Sequence, residues 1–185
     1  WIVAGTIPIK SEKKEKLFST CIIYDDKGEM ISAYSKMHLF DVNLPNTNEE
    51  YRESDIYLNG TEVVTIETPF CKIGLSICYD LRFPELFRKL SESKAELICL
   101  PAAFTSFTGK AHWEHLIKAR AIENLVYFAA SAQGGYHVSG RETYGNSIIV
   151  SPWGETLGIL KNKSGVVVTD INLDLLKKLR SNFPC

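Results

Sequence analysis

Cys78 stands where an apolar run, residues 72–78, meets Tyr79-Asp80-Leu81-Arg82-Phe83-Pro84-Glu85. A cysteine attacks carbonyl carbon as its thiolate, and backbone N–H groups at a helix start favour an anion and can also hold an oxyanion. The run before Cys78 is short and rich in Ile and Leu, the pattern of a buried strand. Pro84 suits the first turn of a helix, because it has no amide hydrogen to leave unpaired there. A strand that turns abruptly into a helix holds the side chain at the junction in a fixed direction, as in the nucleophile elbow of serine hydrolases. Free cysteines are more often small core hydrophobes. A carboxylate, a guanidinium and a helix start around one sulfur are more than an inert core position requires, so Cys78 is the candidate nucleophile.

Other side chains bear on such chemistry. Lys36 ends a strand-like run, 29–35, which places its amine either in a cleft or, as for most lysines, in bulk water. Glu53 lies in a polar stretch, 43–60, that reads as a long loop; such loops in compact domains are often functional lids, and a solvated loop acid is the alternative. Phe104 and Thr105 belong to a loop of small and aromatic residues, 102–109, compatible with a pocket wall and equally with ordinary core contacts. His137 and Arg141 fall in a second polar, glycine-rich loop, 133–145, where loops after buried strands commonly carry specificity.

The elements that must position these residues follow from the apolar pattern. Residues 1–8 read as a buried strand. Residues 17–24 and 29–35 form a hairpin about Asp25-Asp26-Lys27-Gly28, with Gly where positive φ is needed. A strand over 61–68 leads to the cysteine strand, and a helix over 84–93 follows. Further strands are expected at 96–101 and 125–132, with a helix over 112–124 between them whose apolar face carries Trp113, Leu116, Ile117 and Ala121. A second hairpin about Pro152-Trp153-Gly154 joins 146–151 to 155–160. A strand at 165–172 and a helix at 173–180 close the chain. Strands alternating with helices mark the α/β class, and with no repeat or linker the 185 residues read as one domain.

Composition narrows the function. The 21 basic and 22 acidic residues are spread along the chain, leaving neither the basic stripe of a nucleic-acid protein nor a polybasic membrane patch. No apolar run is long enough to span a bilayer, and no charged-then-apolar leader is read at the start, so a cytoplasmic protein is expected. Five cysteines without CxxC spacing argue against both a disulfide framework and a zinc site.

Four motifs in order then resemble the nitrilase superfamily of carbon–nitrogen hydrolases: Tyr34-Ser35-Lys36-Met37-His38-Leu39-Phe40-Asp41, Gly74 through Glu85 around Cys78, Gly109-Lys110-Ala111-His112-Trp113-Glu114, and Tyr144-Gly145-Asn146-Ser147 with Pro152-Trp153-Gly154. The resemblance implies an α-β-β-α sandwich, incomplete at its N-terminus. It implies that Cys78 is the nucleophile, that Lys36 and the Tyr79 amide hold the oxyanion, and that Glu53 positions Lys36 and the substrate. Arg82 and Glu85 match positions that brace the elbow. The family's general-base glutamate has no counterpart in the sequence, and the strand bearing it is expected upstream of Trp1.

The implied reaction is hydrolysis of the terminal carboxamide of a small acidic molecule through a thioester, without metal or organic cofactor, by a homodimer. Ala132-Gln133-Gly134-Gly135-Tyr136-His137 and 141–147 resemble the amidases of deaminated glutathione, with omega-amidases of α-ketoglutarate and α-ketosuccinate monoamides next. Asn146 departs from the family's more frequent His. A catalytically inactive scaffold and a redox thiol protein are the rival classes.

Overall fold

In the computed structural model the described residues are 1–12, 15–45, 49–138, 140–161, 163–183 and 185. The chain divides into two compact units, Trp1–Val64 and Thr65–Cys185.

The first unit is built on a sheet ordered β1 (Ile2–Lys10), β2 (Leu17–Tyr24), β3 (Met30–Ser35), all antiparallel. The β2–β3 hairpin turns where it was expected. Asp25 Oδ1 accepts the N–H groups of Lys27 and Glu29, each at 2.9 Å, so the side chain closes the turn. Cys21, Ile23 and Tyr34 are fully buried and form this unit's core.

The first strand exists, but it is not buried: Ile2, Ile7 and Ile9 are exposed. Among the described residues it pairs with β2 at the end of the sheet, so an apolar run read locally as core lies on a sheet edge. The stretch expected to be one long loop is also more ordered. It contains β4 (Asp41–Asn43) against β5 (Glu50–Arg52), a 3-10 turn at Glu53–Asp55, and β6 (Tyr57–Leu58) parallel to the start of β2. Residues 46–48 of that stretch lie outside the described residues.

The second unit carries β7 (Thr65–Glu67), β8 (Lys72–Leu75), α1 (Pro84–Glu92), β9 (Leu97–Ala102), α2 (Ser106–Asn124), β10 (Tyr127–Ala132), β11 (Gly134–Tyr136), β12 (Glu142–Tyr144), β13 (Ser147–Val150), β14 (Thr156–Leu160) and α3 (Leu173–Asn182). Its main sheet runs β14-β13-β10-β9-β8-β7, with β8, β9 and β10 parallel and α1 and α2 as their crossovers. Leu75, Ile98, Leu100 and Phe128 of the sheet, with Phe87, Leu90, Trp113 and Ile117 of the helices, make a fully buried core. The rings of Phe87 and Phe128 lie 5.7 Å apart across the α1–sheet contact.

Four expectations change in this unit. The strand over 61–68 shortens to β7, and 165–172 forms no strand: Val166 and Val168 are exposed, and the segment joins no ladder. Residues 133–145, read as a loop, are instead the hairpin β11–β12, of which Ser139 lies outside the described residues.

Finally, α2 begins at Ser106 and absorbs half of the loop expected at 102–109. Thr105 is the reason, because its Oγ1 accepts the Thr108 N–H at 3.3 Å and caps the helix. Gly109 is therefore inside the helix, and its lack of a side chain serves close approach rather than a turn. A Cβ there would fall 2.3 Å from Tyr144 Cβ and 2.4 Å from its Cγ. Gly109→Ala is expected to cost about 1–3 kcal/mol through overpacking despite alanine's better helix propensity. A lowered thermal midpoint checks it; an unchanged or raised one would show that Tyr144 can move aside.

Candidate active site

Cys78 opens a 3-10 helix, Cys78–Arg82, that bridges β8 and α1. The strand ends at Leu75, three residues before the cysteine, and Ser76 anchors the connection: its N–H and its hydroxyl both donate to the Cys99 carbonyl of β9, each at 3.1 Å. Asp80, completely buried, accepts the Ile77 N–H on Oδ2 at 2.9 Å and so folds the turn back on its own start. Between these clamps Cys78 has φ of 46°, the left-handed region that costs a side-chain-bearing residue energy. The strain fixes where the partly exposed side chain points. Gly74 lets the strand lie close beneath α1, since a Cβ there would meet Leu90 and Ala95 side chains at 3.2 Å.

The elbow is tied to α2 as well. Arg120, nearly buried, donates Nε–H to the Leu81 carbonyl at 3.1 Å, pairs with Glu123 at 3.0 Å, and lies over the Phe87 ring. Arg82 places its guanidinium 5.4 Å from the centre of the Phe104 ring and 5.9 Å from that of Tyr79, with Nη1 3.2 Å from His112 Nδ1. Burial draws the Arg82 pKa down from its ordinary value, against the opposing charges of Tyr79 and Cys78.

The other thiols differ in environment. Burial pushes Cys21 up to about 11, and burial followed by the Glu96 carboxylate raises Cys71. Neither favours a thiolate.

In the first unit Lys36 follows β3 and is 3% exposed, not solvated. Its Nζ donates to Glu53 Oε2, which also accepts the Phe40 N–H at 2.6 Å. The backbone of Lys36 is held on both sides, its N–H on the Ser19 carbonyl at 2.9 Å and its carbonyl on the Gly60 N–H at 2.8 Å. Gly60 has to be glycine for that second bond, as a Cβ would stand 2.2 Å from the Ser35 oxygen. The turn bearing Glu53 is clamped by Lys16, whose Nζ donates to the Ser54 and Asp55 carbonyls, and by Asp41, whose Oδ1 accepts the Ser54 N–H at 2.9 Å. That last bond holds the Asp41 carboxyl below its usual range.

The four residues expected to line a substrate pocket have structural occupations as well. Phe104 is buried, with its ring 4.8 Å from that of Trp113 and its carbonyl accepting the Tyr144 N–H at 2.9 Å. Thr105, besides capping α2, pairs its hydroxyl with Thr108 Oγ1 at 2.8 Å. Arg141 Nη2 donates to the Ala103 carbonyl, tying the β11–β12 hairpin to the segment before α2, and His137 Nε2 pairs with Thr143 Oγ1 at 2.8 Å inside the hairpin.

Structure thus brings Lys36 to Glu53, and Cys78 and Tyr79 into one turn with Arg82. His112 and Arg120 received no role from sequence reasoning. Their spacing on the α2 helix was legible, but not what they reach. An open cleft of about 400 Å³ lies elsewhere, lined by Ala132, Gly134, Gly145, Asn146 and Lys163 among others, and none of the residues assigned to the chemistry lines it.

An elbow cysteine and a buried lysine–glutamate pair are the two constellations the resemblance required. The carbon-nitrogen hydrolase family model matches residues 1–181, and the chain belongs to that family. It is 42% identical over 187 aligned residues to the deaminated glutathione amidase of Dictyostelium discoideum, covering 100% of this chain and 64% of that protein. It is 36% identical to omega-amidase NIT2 of Xenopus tropicalis, covering 100% of this chain and 66% of that protein. Among solved structures, Nit3 of Saccharomyces cerevisiae, a member of branch 10 of the nitrilase superfamily, superposes with a TM-score of 0.87 at 31% identity, over 98% of this chain and 63% of that one. The chain thus has a mixed α/β nitrilase-superfamily fold and spans under two thirds of the length of these relatives.

Proposed function

We propose that the protein is an amidase that opens a small linear amide through a thioester on Cys78, with deaminated glutathione as the substrate. The observation that carries this reading is the strained, clamped elbow at Cys78 in a chain 42% identical along its whole length to a deaminated glutathione amidase. Sγ attacks the amide carbon, the C–S bond forms, and the carbonyl electrons become an oxyanion. Lys36, held by Glu53, and the Tyr79 N–H bear that charge. Collapse of the intermediate breaks the C–N bond and the protonated amine leaves. Water then attacks the thioester, releasing the acid and returning the thiol.

The thiol proton needs an acceptor, which the resemblance assigns to a glutamate that this sequence does not contain. Phe104, Thr105, His137 and Arg141 are proposed to shape the substrate end through the contacts already described. A cytoplasmic homodimer completes the reading. No helix among the described residues is long and apolar enough to cross a membrane.

The similarity to an omega-amidase favours a second substrate, α-ketoglutaramate or α-ketosuccinamate, acted on by the same residues. Parallel kcat/KM measurements on deaminated glutathione and α-ketoglutaramate, on protein whose intact mass has been determined, decide between them. A higher value for deaminated glutathione is expected. A higher value for α-ketoglutaramate transfers the assignment, and turnover of neither by folded protein would leave the inactive scaffold as the better reading.

A further inference from the structure

Arg82 and His112 are 30 residues apart and meet at 3.2 Å. A guanidinium only donates, so His112 Nδ1 must be the acceptor, and the ring in this arrangement is the neutral tautomer protonated on Nε2. His112 is at the surface of α2, while Arg82 is half-buried between the rings of Tyr79 and Phe104. Nothing about bracing a turn requires a charged side chain sandwiched this way, since Ser76, Asp80 and Arg120 already fix the elbow backbone.

We propose that Arg82 is the cation that favours the thiolate of Cys78, and that His112 is the positioning residue that aims it. The inference rests on reading Cys78 as a reactive thiol and deepens it. Arg82 shares the five-residue turn with Cys78, and the two rings restrict its side chain to a narrow slot. The titratable groups facing it are Tyr79 and Cys78 from its own turn and His112 from α2; those facing His112 are Arg82 and His115. Partial burial first, then the charges of Arg82 and His115, hold His112 below its ordinary value of 6.5, so it is a neutral acceptor at physiological pH. Protonation at lower pH turns Nδ1 into a donor facing another donor, and the contact is lost.

The test is the pH dependence of Cys78 alkylation by iodoacetamide, quantified on the Cys78 peptide so that the exposed Cys185 does not interfere. It requires no amide turnover. His112→Ala is expected to slow alkylation several-fold at pH 7, and Arg82→Gln about tenfold, as loss of a nearby opposite charge raises a pKa by about one unit or more. His112→Asn, whose Oδ1 can stand in for Nδ1, restores the wild-type rate at pH 7. As the pH falls from 6.5 and His112 takes up its proton, the wild-type rate falls more steeply than the tenfold per pH unit of a single titrating thiol, and that of the Asn variant does not.

His112→Ala with the wild-type profile overturns the proposal even if Arg82→Gln does not fold, because His112 is on the surface. Equal slowing in the Ala and Asn variants also overturns it, because it would indicate a steric role. A Cys78 that resists alkylation in the wild-type protein removes the nucleophile reading and this inference together. An altered profile without amide hydrolysis would uphold the inference and count against the amidase alone.

Discussion

Cys78→Ala is expected to lower kcat/KM for amide hydrolysis by on the order of 10⁴-fold or more, because the proposed mechanism forms the thioester on Cys78. The background chemistry left to an oxyanion site without a nucleophile is small. The same substitution leaves thermal stability within about 1 kcal/mol, because Cys78 is only partly buried and its neighbours, not its sulfur, fold the turn. Cys78→Gly is a sharper structural control. With φ at 46° a glycine relieves strain, so this variant should be at least as stable as Cys78→Ala while equally inactive. Mass-resolved turnover and melting curves measure both. More than about one per cent of wild-type activity in either variant would place the nucleophile elsewhere.

The second large effect is at Lys36. On the proposed mechanism Lys36→Met removes a donor to the oxyanion and is expected to lower kcat by about 10²–10³-fold, the usual loss for one such group. It also leaves Glu53, whose side chain is 19% exposed, without its cation. Breaking a buried pair from one side typically costs about 3–5 kcal/mol, and the partial exposure of Glu53 puts the expected loss at the lower end. The double variant Lys36→Met with Glu53→Gln separates the roles, because it removes the uncompensated charge and should recover most of the stability with none of the activity. Recovery of both would mean that Lys36 serves the fold alone. Retained wild-type kinetics in the single variant would remove it from the mechanism.

These two predictions differ in how far each residue was readable. Cys78 sits at a local boundary, an apolar run ending just before a proline-led helix, and local boundaries are written in sequence. Lys36 and Glu53 are 17 residues apart, and only the family resemblance paired them. A lysine after a strand is ordinarily solvated. This one is buried, and its amine is held by Glu53 at the start of a 3-10 turn, in a stretch whose polar composition read as loop. Short strands of three residues carry too few alternations to register against such a background. The β11–β12 hairpin was hidden for the same reason.

The sequence by itself determined the α/β alternation, the β2–β3 and β13–β14 hairpins, the helix at Pro84 and the junction that presents Cys78. Each follows from periodicity, turn chemistry or a proline within a few residues. Tertiary structure decided what those patterns leave open. The first strand is apolar yet exposed at the end of its sheet, because burial depends on what packs against a strand and not on the strand's own residues. The helix α2 starts early because Thr105 caps it, and Gly109 is tolerated within it because Tyr144 crosses there. Arg82 and His112 meet only because α2 lies against the elbow. Such contacts between distant segments depend on how elements are placed in space, which local pattern does not encode.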